Sequence, residues 1–297
     1  MDDLLPPGTA MRAVTLHVEN LDVMTAYYRD GLLLDEIDVP DTLALSPAER
    51  AQTAVLGRDE APVVVLRRTP GLPRPRRGEA GLFHTAVVYD GAAQLATALA
   101  SVAAHAPGTY VGSADHLVSE AFYFTDPEGN GVELYHDRPR ETWAWDDGQI
   151  RMDTLWLDPN GFLTEHLPRD AQERAAAAAT PAVVGHVHLQ VGDLAAARAF
   201  YVDTLGFEPT ATAPGALFVS AGGYHHHLAV NTWASRGAGP RASTLGLATI
   251  GVEAPTADAA AALRDRLRHA GVAVADDGAT LRFDDPWRNH LEVVVAA

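Results

Sequence analysis

The chain repeats itself, and that repetition constrains its fold more than any other feature. Residues 13–34, AVTLHVENLDVMTAYYRDGLLL, align with residues 186–207, HVHLQVGDLAAARAFYVDTLGF, at a constant offset of 173. Val14/Val187, Leu16/Leu189, Val18/Val191, Leu21/Leu194, Ala26/Ala199, Tyr28/Tyr201 and Asp30/Asp203 are identical pairs. In both copies an alternating segment gives way to apolar residues at helical spacing, which predicts strand, turn and helix. Asn20 and Asp193 stand where a helix N-cap is expected. A second pair, FTDPEGNGVELY (124–135) and FDDPWRNHLEVV (283–294), matches at an offset of 159. Each Asp-Pro starts a turn, and each segment ends in a short strand carrying Glu133 or Glu292. Upstream, LFHTAVVYD (82–90) aligns with GLATIGVE (246–253), and each leads into an Ala-rich helix. Four modules therefore begin near residues 11, 82, 184 and 245, each read as a strand, a helix and several antiparallel strands.

The modules predict an α+β chain in two tandem domains, 1–136 and 181–297, joined by a linker over 137–180. A length of 297 residues with 47 % hydrophobic content suits two globular cores. The linker holds Trp143, Trp145 and Trp156, which predicts that it packs onto a domain, and its length lets non-adjacent modules pair. A formal charge of −17 argues against a nucleic-acid partner, whose binding needs basic side chains to release counterions. Cysteine is absent, so thiolate sites and disulfides are excluded and any metal must be held by His, Asp, Glu or carbonyl oxygen. The N-terminus lacks a signal-peptide pattern, and no apolar run approaches the ~20 residues that cross a bilayer. A soluble cytoplasmic protein with no membrane partner is the expectation.

This layout resembles the vicinal oxygen chelate superfamily of glyoxalase I, bleomycin-resistance proteins and type I extradiol dioxygenases. The resemblance spans nearly the whole chain. It rests on GHVHLQVGDLAAARAFYVDTLGF, on DHLVSEAFYFTDPEGNGVELYHDRP at 115–139 and on GGYHHHLAVNTW at 222–233, which together are similar to the catechol-2,3-dioxygenase-like branch. It implies four βαβββ modules that pair into two half-barrel, glyoxalase-like domains. It also implies a metal in the cleft, with ligands on the first and last strands of the modules.

By that family pattern the first-strand ligand lies seven residues before the helix cap. The position holds His186 in module three and Ala13 in module one, while the corresponding strands carry His84 in module two and Leu247 in module four. The last-strand position is Glu133 in module two, Glu292 in module four and, by this reading, His227 in module three; near Val64 to Leu66 module one offers no ligand. If module two faces module three, one cleft gathers His84, Glu133, His186 and His227, and this is the preferred arrangement. Pairing in sequence order would instead centre a site on His186, His227 and Glu292. His226, between alternating neighbours, is expected to point away from the cleft.

The resemblance further implies an active-site Tyr at Tyr123, ten residues before Glu133, and an acid or base at His116. Tyr123 also reads as a packed strand aromatic. Asp126, Pro127, Gly129 and Asn130 are expected to form a turn with no chemical role, and Asp284–Asp285 a solvated turn. Imidazoles with one carboxylate can hold a divalent first-row metal and leave adjacent positions free for a vicinal diol and O2. Three functions remain open on these residues. The first is an extradiol dioxygenase acting with Fe(II), or Mn(II), on a small aromatic diol. The second is a glyoxalase-like lyase or isomerase with four protein ligands and Ni(II), Co(II) or Zn(II). The third is a metal-free small-molecule binder similar to bleomycin-resistance proteins. A homo-oligomer is left open.

Overall fold

A computed structural model of the chain describes residues 4–39, 45–59 and 61–296. Module one contributes strands β1 (Ala10–Val18), β2 (Asp35–Ile37), β3 (Thr53–Arg58) and β4 (Ala61–Arg68), and module two β5 (Gly81–Tyr89), β6 (Tyr110–Asp115), β7 (Ser119–Thr125) and β8 (Gly131–Asp137). A short hairpin, β9 (Trp145–Asp146) and β10 (Gln149–Ile150), follows. Module three supplies β11 (Ala182–Gln190), β12 (Glu208–Ala213), β13 (Ala216–Ser220) and β14 (Leu228–Asn231), and module four β15 (Gly246–Ala254), β16 (Ala275–Asp276), β17 (Thr280–Asp284) and β18 (His290–Val295).

The strands form two eight-stranded sheets, one ordered β16-β17-β18-β15-β1-β4-β3-β2 and the other β12-β13-β14-β11-β5-β8-β7-β6. The fold is α+β, with two curled half-barrel sheets built from four βαβββ modules. Each sheet takes one module from either side of segment 137–180: module one joins module four, and module two joins module three. The joints are antiparallel pairings of first strands, β1 with β15 and β5 with β11. Inside each module the last strand lies parallel to the first, as β8 does to β5 and β14 to β11.

The shared motif residues account for how the two sheets are held together. Asn20 and Asp193 cap their helices, accepting from the backbone N–H of Val23 and of Ala196. Both helices then run into a π-helical turn, Tyr27–Gly31 and Ala199–Thr204. From those turns Tyr28 donates to Asp126 Oδ2 at 3.1 Å and Tyr201 donates to Asp285 Oδ2 at 2.8 Å. Asp126 and Asp285 lie in the Asp-Pro turns of modules two and four, where each also accepts from two backbone N–H groups and an asparagine amide. Each bond therefore ties one sheet to the other. Asp285 is thus no solvated turn residue; it is 4 % exposed. The turn at Asp126 has the structural role expected of it.

Segment 137–180 packs against the second sheet. Trp143 and Ile150 bury themselves with Val118 and Tyr224. Leu155 exchanges backbone hydrogen bonds with Asp115 at the β6 edge. Two helices, Pro159–His166 and Ala171–Ala178, lie on the helix Ala92–His105 of module two. No helix among the described residues is long and apolar enough to cross a membrane.

Replacing Tyr201 with Phe removes one bond to a buried carboxyl without changing side-chain shape. Denaturant unfolding should show a loss of ~1–3 kcal/mol with the m-value unchanged.

Candidate metal centre

The β5–β11 seam brings two first-strand histidines face to face. His84 is opposite His188, and Ala86 is opposite His186. His84 and His186 each stand seven residues before their helix caps, Gly91 and Asp193. A register shift between Val184 and His186 lets the strand turn its side chains into the cleft. Gly185 is required there, since a Cβ would come within 1.8 Å of the Tyr135 hydroxyl. Glu133 enters from β8, parallel to β5 and opposite Ala86.

Ligand atoms of His84, Glu133 and His186 all lie within 4.8 Å of one another. Glu133 Oε2 is 2.9 Å from His84 Nε2 and 3.2 Å from His186 Nε2, and the two Nε2 atoms are 3.4 Å apart. These residues are 6 %, 2 % and 2 % exposed for His84, Glu133 and His186. Burial, opposed by Glu133, pushes His186 down to about 4, so its imidazole is neutral near pH 7. Burial works to raise Glu133, but the facing imidazoles outweigh it and hold the carboxyl well below its ordinary value. An ionised carboxylate is thus buried with two histidine rings against it, their Nε2 atoms 2.9 and 3.2 Å from Oε2. Leaving such a charge uncompensated is costly. Two Nε2 lone pairs and a carboxylate oxygen converging on one point are the donor set of a divalent first-row metal, and the residues fit that group. His186 Nδ1 has no hydrogen-bond partner among the described residues. Its ring is held instead between Tyr135 and His226, whose ring centroids are 5.0 and 4.0 Å away.

The fourth expected ligand is not in this group. His227 turns its Nδ1 to Ser220 Oγ at 2.9 Å and accepts from the Ala221 N–H. The reason lies in the register. Five residues before the cap, Ala86 pairs with Glu133 in module two, while in module three His188 pairs with Ala229. The position equivalent to Glu133 is therefore Ala229, which carries no donor. His225, His226 and His227 precede β14, so strand alternation does not apply to them. His226, expected outside, lines the cleft instead. His225 donates from Nε2 to Asp137 at 2.9 Å, with its Nδ1 2.8 Å from that of His226. Glu292, the alternative ligand, belongs to the other sheet and pairs with Arg282.

The three donors open into a cleft of about 800 Å³. Phe83, Phe218 and Trp233 line one part, and Ile150, Met152 and Asp153 from segment 137–180 close another. Tyr123 and His116 are also on its wall. Asp153 carbonyl oxygen accepts from His116 Nδ1 at 2.7 Å, which leaves Nε2 as an acceptor 2.6 Å from the Tyr123 hydroxyl. Burial, then the charge of Glu133 and a hydrogen bond to it, raise the Tyr123 phenol well above its ordinary value, so it stays protonated with Glu133 and His116 Nε2 both within reach of its proton. His188 is a cleft histidine that the ligand pattern passed over, although its place two residues after His186 puts it on the same strand face.

The Glyoxalase/Bleomycin resistance protein/Dioxygenase superfamily profile matches residues 183–293. Over 275 residues the chain is 35 % identical to the catechol-2,3-dioxygenase of Bacillus subtilis (strain 168), covering 91 % of this chain and 92 % of that one. The chain belongs to this superfamily. Among solved structures it is similar to a Bacillus subtilis protein provisionally described as a dioxygenase, with a TM-score of 0.63 and 12 % identity over 96 % of this chain and 84 % of that one. Glyoxalase I from Zea mays matches with a TM-score of 0.57 and 15 % identity over 97 % of this chain and 92 % of that one. At these identities the structural matches establish the shared fold.

Burial holds the His227 imidazole at about 3, below its ordinary 6.5. Between those values an unfolded chain takes up a proton that the folded chain refuses, so folding stability should fall as pH drops through this window. His227→Gln should shallow that slope by up to one proton, ~1.4 kcal/mol per pH unit, in urea melts taken from pH 7 to pH 4.

Proposed function

We propose that the protein is an extradiol dioxygenase that uses Fe(II) to open the ring of a catechol-type aromatic diol with O2. One observation supports this above the alternatives: the cleft gathers two imidazoles and one carboxylate, with Ala229 where a fourth ligand would stand. That donor count leaves adjacent coordination positions open, as non-haem Fe(II) oxygenases require. The 35 % identity to a catechol-2,3-dioxygenase points the same way.

His84, Glu133 and His186 would hold the metal, which when bound supplies Lewis-acid activation of a vicinal diol and redox chemistry toward O2. The chain's own groups then do the rest. The aromatic wall of Phe83 and Trp233, with centroids 5.5 Å apart, gives a flat ring a surface to pack against. Ile150, Met152 and Asp153 of segment 137–180 line another part of the cleft. His116 Nε2, 2.6 Å from the Tyr123 hydroxyl, is the acceptor nearest to hand when a substrate hydroxyl must lose a proton. Tyr123 keeps its own proton and can donate it toward an oxygen in the cleft.

A glyoxalase-like isomerase with four ligands has less support, because His227 is turned to Ser220 and Ala221. Aerobic assay of the Fe(II)-loaded protein across a panel of catechols should give a yellow ring-cleavage product with at least one of them. The Zn(II)-loaded protein should give none, and Tyr123→Phe and His116→Asn should lower kcat by ~10²–10⁴. Turnover of a hydroxyketone or hemithioacetal by the Zn(II) form, with no catechol cleaved by the Fe(II) form, would overturn the proposal.

A further inference from the structure

His188 is 4 % exposed, lines the cleft, and belongs neither to the three-donor group nor to the His116–Tyr123 pair. Its ring is enclosed by Phe83, Trp233 and His84, at centroid distances of 4.9, 5.5 and 5.0 Å. Behind it stands Asn231, which is fully buried on the parallel strand β14.

The orientation of that amide follows from its own partners. The backbone N–H of Trp233 can only donate, and it lies 3.1 Å from Asn231 Oδ1. The Asn231 NH2 group must therefore be the side facing His188 Nε2, at 3.0 Å. An NH2 group donates, so His188 Nε2 accepts, and the single proton of the neutral ring is on Nδ1. Nδ1 has no partner among the described residues and is not among the enclosed unsatisfied atoms, so its N–H is free to reach a molecule in the cleft.

We infer that Asn231 locks His188 as an Nδ1–H hydrogen-bond donor that binds and orients an oxygen of the molecule occupying the cleft. The inference rests on the proposed diol chemistry, and the ligand it implies is an aromatic ring bearing an oxygen acceptor, flanked by Phe83 and Trp233. Asn231 acts through His188 and is a positioning residue. The arrangement supplies a donor of fixed polarity beside His84, complementary to the acceptor that His116 presents from the other wall.

Asn231→Asp tests the polarity at almost constant volume. A carboxylate still accepts from Trp233 N–H, but now accepts from His188 as well, so the ring proton moves to Nε2 and a bare Nδ1 faces the cleft. The diamagnetic Zn(II)-loaded protein and 4-nitrocatechol, followed by its absorbance shift on binding, give a readout free of turnover. Imidazole nitrogen NMR should find His188 protonated at Nδ1 in the wild type and at Nε2 in Asn231→Asp, with His188→Phe identifying the signals. Both variants should retain zinc and bind 4-nitrocatechol about tenfold to a hundredfold more weakly, the range of one hydrogen bond to a charged oxygen. Equal affinity in wild type and variants, or an Nε2–H tautomer in the wild type, would overturn the inference and leave the dioxygenase reading standing. Zinc lost from the variants would also overturn it, by placing the role of His188 in supporting the ligands. A zinc-loaded wild type that binds no 4-nitrocatechol would count against the diol reading itself and remove the basis of the inference.

Discussion

The antiparallel seam between β5 and β11 is the constraint on which the candidate site depends. Strand pairing fixes side chains to alternate faces, so a slip of one residue between the two strands would turn one of the two histidines out of the cleft. The register places His84 opposite His188 and Ala86 opposite His186, and the shift beside Gly185 adjusts the two ligand positions toward each other. Glu133 follows because β8 is bound parallel to β5. Three ligand atoms from three strands thus meet through backbone hydrogen bonding, with no loop required to carry them. A site on strands is held more rigidly than one on loops, which matters when a buried carboxylate must keep its partners to stay ionised.

The other sheet is a natural control for this argument. It has the same seam, β1 with β15, and the same turns. Glu292 pairs opposite Gly251, five residues before the Thr256 cap, as Glu133 pairs opposite Ala86. Seven residues before the caps, however, stand Ala13 and, where the sequence reading placed Leu247, Thr249, neither of which supplies an imidazole. Arg282 occupies the place of Tyr123 and satisfies Glu292 directly, with Nε 3.0 Å from Oε2. A guanidinium thus neutralises the carboxylate that, in the second sheet, faces two imidazoles. The backbone was kept and the donor set was not, which separates what the repeat does for folding from what it does for chemistry. Tyr28 with Asp126 and Tyr201 with Asp285 fall on the folding side: they occur in both halves and join sheet to sheet.

Much of this was legible in the sequence because the cap positions count out the strands. Asn20 and Asp193 set the frame from which His186 is found, and the Asp-Pro turns set the frame for Glu133 and Glu292. Pairing of module two with module three followed from asking where two first-strand histidines could meet, although every first strand has the same apolar alternation and none names its partner. The error at the triple histidine has a specific cause. Strand alternation does not govern His225, His226 and His227, because β14 begins at Leu228. The preceding turn rotates His226 into the cleft and His227 out of it. His188 was passed over because its role comes from Asn231, a residue more than forty positions away whose amide is oriented by the Trp233 backbone. Contacts of that kind leave no local pattern to read.

The central claim is that His84, Glu133 and His186 together form one metal site on the seam of modules two and three. Elemental analysis of anaerobically purified protein tests it most directly, with His84→Ala, His186→Ala, His227→Ala and Glu292→Ala compared against wild type. The account predicts about one divalent metal per chain in the wild type, retained in His227→Ala and Glu292→Ala and lost in His84→Ala and His186→Ala. Metal retained without His84 but lost without Glu292 or His227 would contradict it and move the site to the C-terminal half of the chain.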